Sequence, residues 1–263
     1  MSCKSLGRIS AACFVSVLTV SAEPDADAKP ARHVRFLAMG DSPPFRQEIR
    51  DGVRYELDPP PDSIPPRQVI PGFGKETAEA LDLRLGRISA LAKVPAGEAT
   101  LDLRAFGQAP DAAPWVSLKT PASGDFLVFL FRNAAKPTWK DALSLIVPDG
   151  AAGAPAGTLR IVNLFPLSIR IMWGGETVIL PAGKTILRTV KPGSEIPFQI
   201  LVADATGSMK RYYSSSVTQN QGERGLVTIY RADGEDPRRP LKGAMLREPV
   251  PPEPPPSSGD KKP

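Results

Sequence analysis

Leu167-Ser-Ile-Arg-Ile-Met-Trp173, then Gly174-Gly175, then Glu176-Thr-Val-Ile-Leu180 carries the clearest fold signal in the chain. Apolar and polar residues alternate with period two on both sides of a glycine pair, which is the pattern of a β-hairpin. Two glycines accept the positive φ values that a tight primed turn demands. In that register Ile169, Ile171 and Trp173 share a face with Leu180, Val178 and Glu176, while Ser168 and Arg170 fall on the wetter face.

The same grammar extends in both directions. Short alternating or β-branched runs, separated by Gly, Pro, Asp and Asn, predict strands at 34–39, 53–57, 100–105, 115–119, 125–132 and 142–147. Further strands are expected at 158–163, 185–190, 196–204, 210–217, 226–231 and 241–246. Residues 77–94 satisfy both periods. Leu81, Leu83 and Leu85 alternate, yet Leu81, Leu85, Ile88 and Ala92 keep helical spacing. The Pro95-Ala-Gly97 punctuation before Thr100-Leu-Asp-Leu-Arg104 favours strand and a hairpin there.

An internal echo suggests duplication. Val34-Arg-Phe-Leu and Leu159-Arg-Ile-Val open the two halves, and Phe126-Leu-Val-Phe-Leu-Phe and Leu226-Val-Thr-Ile-Tyr occur near their ends, with the spacing differing by about 25 residues. The expected fold is therefore all-β. It comprises two tandem immunoglobulin-like β-sandwich modules, 33–148 and 158–248, joined by a small-residue linker at 149–157. Within the first module, 42–71 reads as a proline-rich loop, either functional or a stiff connector across a sheet edge. The architecture resembles the immunoglobulin-like modules of bacterial surface and periplasmic proteins, but no motif assigns a family, and fold analogy does not carry function.

The ends have a different composition. Residues 1–22 pair a basic start (Lys4, Arg8) with an apolar run from Ile9 to Val20 and a small-residue site at Val20-Ser21-Ala22, the features of a cleavable signal peptide. The run is shorter than the roughly 20 residues of a membrane-spanning helix. The expected location is the periplasm or the extracellular space, free or in association with the envelope. Two rivals are lipidation of Cys13 and retention of the segment as an anchor. Residues 23–32 read as a flexible leader, and 249–263 as a disordered proline-rich tail.

Cys3 and Cys13 are the only cysteines, so a chain cleaved after Ala22 holds no disulfide, thiolate nucleophile or cysteine-ligated metal. Net charge falls from +5 to +3 once Lys4 and Arg8 are removed, too little to argue for nucleic acid. Residues 157–233 hold nine basic and five acidic groups. That bias could draw anionic polymers or headgroups, though a mildly basic solvated surface explains it as well.

Catalytic patterns are absent from the sequence. His33 is the sole histidine and reads as an exposed strand-edge residue, which leaves a Ser-His-Asp triad without a base. Carboxylate pairs for glycoside hydrolysis could be drawn from Glu56, Asp58, Asp62 and Asp102, but any chain with 28 carboxylates offers such pairs. Asp233-Gly-Glu-Asp236 reads as a hairpin turn rather than a calcium loop. For sugar stacking the candidate rings are Trp115, Trp139, Trp173, Tyr212, Tyr213 and Tyr230. Trp139, in the polar run Lys136-Pro-Thr-Trp-Lys-Asp141, and Tyr212 are the ligand-surface candidates.

These readings predict a non-enzymatic interaction or scaffold protein of the cell envelope, without catalytic, cofactor or metal residues. Its partner would be an envelope protein, met along strand edges or through 42–71. The alternative is a carbohydrate-binding accessory module using Trp139 or Tyr212 on cell-surface polysaccharide, and the third reading is a carboxylate-based hydrolase. A homodimer through open sheet edges is compatible with the pattern.

Overall fold

The computed structural model describes residues 32–250 apart from 75, 110, 137, 235 and 236. The expected signal peptide, all of the expected leader but Arg32, and residues 251–263 of the expected tail lie outside the described residues. In the first half the strands are β1 (Arg32–Met39), β2 (Gln47–Arg50), β3 (Val53–Glu56), β4 (Gln68–Phe73), β5 (Glu76–Thr77), β6 (Leu81–Asp82), β7 (Ala92–Val94), β8 (Thr100–Ala105), β9 (Val116–Lys119), β10 (Phe126–Phe131) and β11 (Leu143–Pro148). In the second they are β12 (Thr158–Asn163), β13 (Ile169–Trp173), β14 (Glu176–Leu180), β15 (Thr185–Thr189), β16 (Glu195–Ala203), β17 (Met209–Thr218), β18 (Glu223–Arg231) and β19 (Leu241–Pro249). Among the described residues, helix is confined to a 3-10 turn at Trp139–Asp141 and one α-turn at Gly150–Gly153. No helix among the described residues is long and apolar enough to cross a membrane.

The two halves repeat one strand order. Sheet β11-β10-β1-β7 corresponds to β19-β18-β12-β15, and sheet β5-β4-β8-β9 corresponds to β14-β13-β16-β17. In each half the opening strand runs parallel to the later one, β1 with β10 and β12 with β18, and antiparallel to its other neighbour. The sequence echo falls on these strands. An immunoglobulin constant-type order would pair the first strand with the second. Here β12 lies between β15 and β18 instead. Its side chains are buried on both faces, with Leu159 and Ile161 in the second-half core and Val162 in a cluster that includes first-half residues.

The hairpin at 169–180 forms as read, pairing Ile169 with Leu180, Ile171 with Val178 and Trp173 with Glu176. Gly174 and Gly175 turn it at φ 54° and 97°. Other expectations are corrected. Arg32 belongs to β1 rather than to a leader, its guanidinium donating to the carbonyls of Pro95, Gly97, Pro121 and Gly124. Pro249 closes β19, and the Val250 N–H donates to Gly222 O at 2.8 Å. Residues 77–94 are not helical. They contribute β6 and β7, but β7 pairs with β1, and β8 pairs with β4 and β9. Pro95-Ala-Gly97 therefore crosses between sheets and closes no hairpin.

The segment 42–71 is not one loop. Asp51 and Gly52, at φ 51° and 80°, make the turn of a β2–β3 hairpin, and 68–71 enter β4. Pro71 is tolerated there because it falls between the ladder to β6, at Gln68 and Val69, and the ladder to β5, at Gly72 and Phe73.

Each half closes its sheet pair on a core. Phe36, Leu101, Leu103, Phe126 and Trp139 are members in the first half, and Ile161, Ile171, Phe198 and Ile229 in the second. A third cluster joins the halves: Leu37, Met39, Leu127, Phe129 and Val147 meet Val162, Leu164 and Leu226. Strands β1, β10, β12 and β18 are consequently buried on both faces over their central residues, which explains the unbroken apolar run Phe126–Phe131 of β10.

A proline- and aromatic-walled groove as the candidate functional site

The first half carries an open groove of about 1190 Å³ on the side of the return leg that follows β3. One wall is formed by Asp62, Ile64, Pro65 and Pro66. Asp62 adopts φ 58° there, and the Ser63 N–H and hydroxyl both donate to Pro60 O, at 3.1 and 2.6 Å. The Asp62 carbonyl accepts from the Trp139 N–H at 2.9 Å and so moors the leg to the core.

The opposite wall is formed by Ala105, Phe106, Gln108, Ala113 and Pro114. Gln108 braces it, accepting from the Ala105 N–H at 3.1 Å and donating to Ala113 O at 2.6 Å, while the Arg104 guanidinium donates to Ala112 O. Phe106, 63% exposed, stands on this wall. The floor is Trp115 over Trp139, with ring centroids 6.5 Å apart. The Trp115 indole N–H donates to Trp139 O at 2.6 Å, so Trp115 offers a ligand its ring and no donor.

Charges of both signs sit among the lining residues: Arg67, Arg84 and Lys140 against Asp62 and Asp82. Arg84 lies 3.6 Å from Asp82 in an exposed pair, which contributes little stability. The surface thus suits van der Waals contact and stacking, with charges of both signs among its lining residues.

Trp139 is not the exposed platform expected from its polar neighbours. It is 1% exposed, because the 3-10 turn, whose Thr138 hydroxyl accepts from the Lys140 N–H at 3.2 Å, tucks the ring into the core. Its Nε1 has no partner among the described residues. Tyr212 is also half-buried, packed on the second core, while Tyr213 is 38% exposed and meets Phe198 edge-on. Among the described residues no three His, Asp or Glu gather as a metal site. Asp102 accepts from Ser117 Oγ at 2.6 Å on the β8–β9 ladder, and Asp62 lies at the groove. His33 lies on β1 between β7 and β10 rather than at an edge, with Nδ1 3.4 Å from Asp125. Sequence reasoning missed Phe106 and Arg67. Phe106 beside a Gly107 turn was the one available signal.

The strongest electrostatics lie elsewhere, where the halves meet. Arg35 donates to Asp149 at 2.7 and 2.9 Å and to both oxygens of Glu248, and Arg224 reaches the same two carboxylates at 3.3 and 3.2 Å. Burial alone would raise the Asp149 carboxyl, but hydrogen bonds from Arg35 and the charges of Arg35 and Arg224 hold it below the usual carboxylate range. Arg160 donates to Pro148 O and Gly153 O. The connecting segment is therefore pinned by arginines. Near the other end of β1, Asp233 accepts from Arg132 and from the Asp41 N–H, and Asp41 accepts from Lys242 at 2.8 Å. Asp233, read in sequence as a turn residue, thus belongs to a second inter-half clamp. Burial and these two aspartates raise the Tyr230 phenol.

No family model and no curated protein matches the chain. Among solved structures it is similar to the Bacillus anthracis TIE protein, at 10% identity and a TM-score of 0.20, covering 83% of this chain and 43% of that one. The chain thus spans less than half of that protein's length, and a likeness at that score carries no argument about either.

Proposed function

We propose that the protein is an exported, non-enzymatic interaction or scaffold module of the cell envelope, built as two tandem β-sandwich modules. The groove of the first would receive an extended, proline-containing segment of an envelope protein. The observation that carries this reading is the composition of the groove: Pro65, Pro66 and Pro114 with Trp115 and Phe106, on walls fixed by backbone bonds. Aromatic-lined grooves suit segments already held in the polyproline conformation, because little ordering entropy is lost on docking. The signal-like residues 1–22 support export.

The test is a photo-crosslinking side chain introduced at Lys140 on the groove, with a second at Ser215 on β17 as control. A discrete adduct from Lys140, weakened by Phe106→Ala and missing from Ser215, is the expected result. Equal adducts from both positions, or none, would refute the groove as the contact. The carbohydrate-binding reading retains one favourable observation, the exposed Phe106 ring beside Trp115. Cosedimentation with envelope polysaccharide that Phe106→Ala abolishes, without protein adducts, would put that reading first.

A further inference from the structure

We infer that the β2–β3 hairpin is a self-association arm, through which two copies of the chain pair antiparallel along β3. The inference rests on the hairpin and is independent of what the groove binds. All four residues of β3 are exposed, and Phe45, Ile49, Val53 and Tyr55 are large apolar side chains at 49–70% exposure. β2 and β3 form a sheet of their own. An isolated two-stranded hairpin is marginal in water, and its outer edges present unpaired N–H and C=O groups.

The edge of β3 complements itself. The β2–β3 register pairs Arg50 with Val53 and Glu48 with Tyr55, and the Leu57 N–H donates to Arg46 O at 3.0 Å. The backbone groups of 53, 55 and 57 therefore point inward, and those of Arg54 and Glu56 point out. In an antiparallel pair centred on Tyr55, Arg54 of one copy faces Glu56 of the other, twice, and each such pair exchanges both backbone bonds. On the opposite face Tyr55 meets Tyr55 at the two-fold axis, in the close non-hydrogen-bonded position, flanked by Val53 against Leu57. Along β3, one face then carries complementary charges and the other an apolar stripe, flanked in each copy by the Glu48–Arg50 pair, whose Arg50 lies over the Tyr55 ring.

Neither Arg54 nor Glu56 has an ion-pair partner among the described residues. The other edge is a poorer candidate. Glu48 and Arg50 of β2 already pair at 2.7 Å. A ladder centred on Ile49 would also run into Asp51, whose φ of 51° is not extended.

Sedimentation of the full chain should show a concentration-dependent rise towards twice the chain mass. Arg54→Glu, which places like charges opposite each other, should weaken the dimer about tenfold. The exchange Arg54→Glu with Glu56→Arg should restore it. Because the double variant keeps the composition of the strand, its recovery separates loss of pairing from loss of folding. In a Cys3→Ser, Cys13→Ser background, Tyr55→Cys should oxidise to a linked dimer and Arg54→Cys should not. A monomer at every concentration, a dimer indifferent to Arg54→Glu, no recovery in the double variant, or linkage through Ile49→Cys in place of Tyr55→Cys would each overturn the inference.

Discussion

Where the second half passes from β12 to β13 through Leu164–Ser168, the first half takes the path from Gly40 to Arg67 between the corresponding strands β1 and β4. Around that difference the halves share their strand order and the same parallel pairing. The shared strands supply the cores and the buried face between halves. The unshared path supplies the hairpin arm and one wall of the groove. In this chain, the buried clusters are concentrated in what is repeated, and the arm with its exposed apolar side chains in what is not. Substitutions in the two kinds of region should therefore behave very differently.

The largest effect is expected at Phe129, buried in the cluster shared by both halves. Phe129→Ala should cost about 3–5 kcal/mol in urea unfolding. Signals from Trp115 in the first half and Trp173 in the second should shift together. Two separated transitions would break the picture of a common face.

Next comes Asp149→Asn, expected to cost about 3 kcal/mol by leaving Arg35 and Arg224 short of a buried partner. The pH dependence has a definite sign. The folded carboxyl lies below its ordinary value, so its stabilisation is complete above the unfolded pKa of about 4 and is lost as pH falls through the folded value. Denaturant midpoints measured from pH 6 downward should decline more steeply in the wild type than in the variant.

The smallest effect sharpens the comparison best, because the local chemistry is matched. Gly175 and Gly52 both sit at positive φ in two-residue turns, at 97° and 80°. Gly175→Ala should lower global stability by about 1 kcal/mol, since β13 and β14 pack on the second core. Gly52→Ala imposes similar strain on an arm with every β3 residue exposed, and should leave the thermal midpoint unchanged within error. Equal losses at both sites would mean that the arm is part of the cooperative unit.

Much of the architecture was legible because it is local. The alternation of 169–180 with a glycine pair forces one register, and the apolar runs of β1, β10 and β18 announce strands without long-range information. The echo between halves even located the repeated strands, and its mismatch in spacing is accounted for by the inserted path. What stayed hidden was partner choice. Nothing in Ala92-Lys-Val94 says that it pairs with β1 rather than with the next strand, because that depends on which sheet edge is open. The proline content of 42–71 masked β2 and β4, since Pro71 is harmless only in the gap between two ladders. Trp139 looked exposed because its sequence neighbours are polar, whereas its burial is set by a turn capped at Thr138 and by Gly40, where an added Cβ would stand 3.2 Å from the indole. Phe106 was overlooked as a single ring in a loop, and it lines a groove only because Asp62, Ile64, Pro65 and Pro66 share that groove with it.

The bond between Arg35 and Glu248 ties the start of the described chain to its end. Both ends therefore emerge at one pole, whereas Gly40, at the far end of the eight-residue strand β1, adjoins the tryptophan floor of the groove. At about 3.3 Å per residue the two poles are separated by roughly 26 Å. A tether attached near residue 32 or residue 250 would share that pole, a strand's length from the tryptophan floor of the groove.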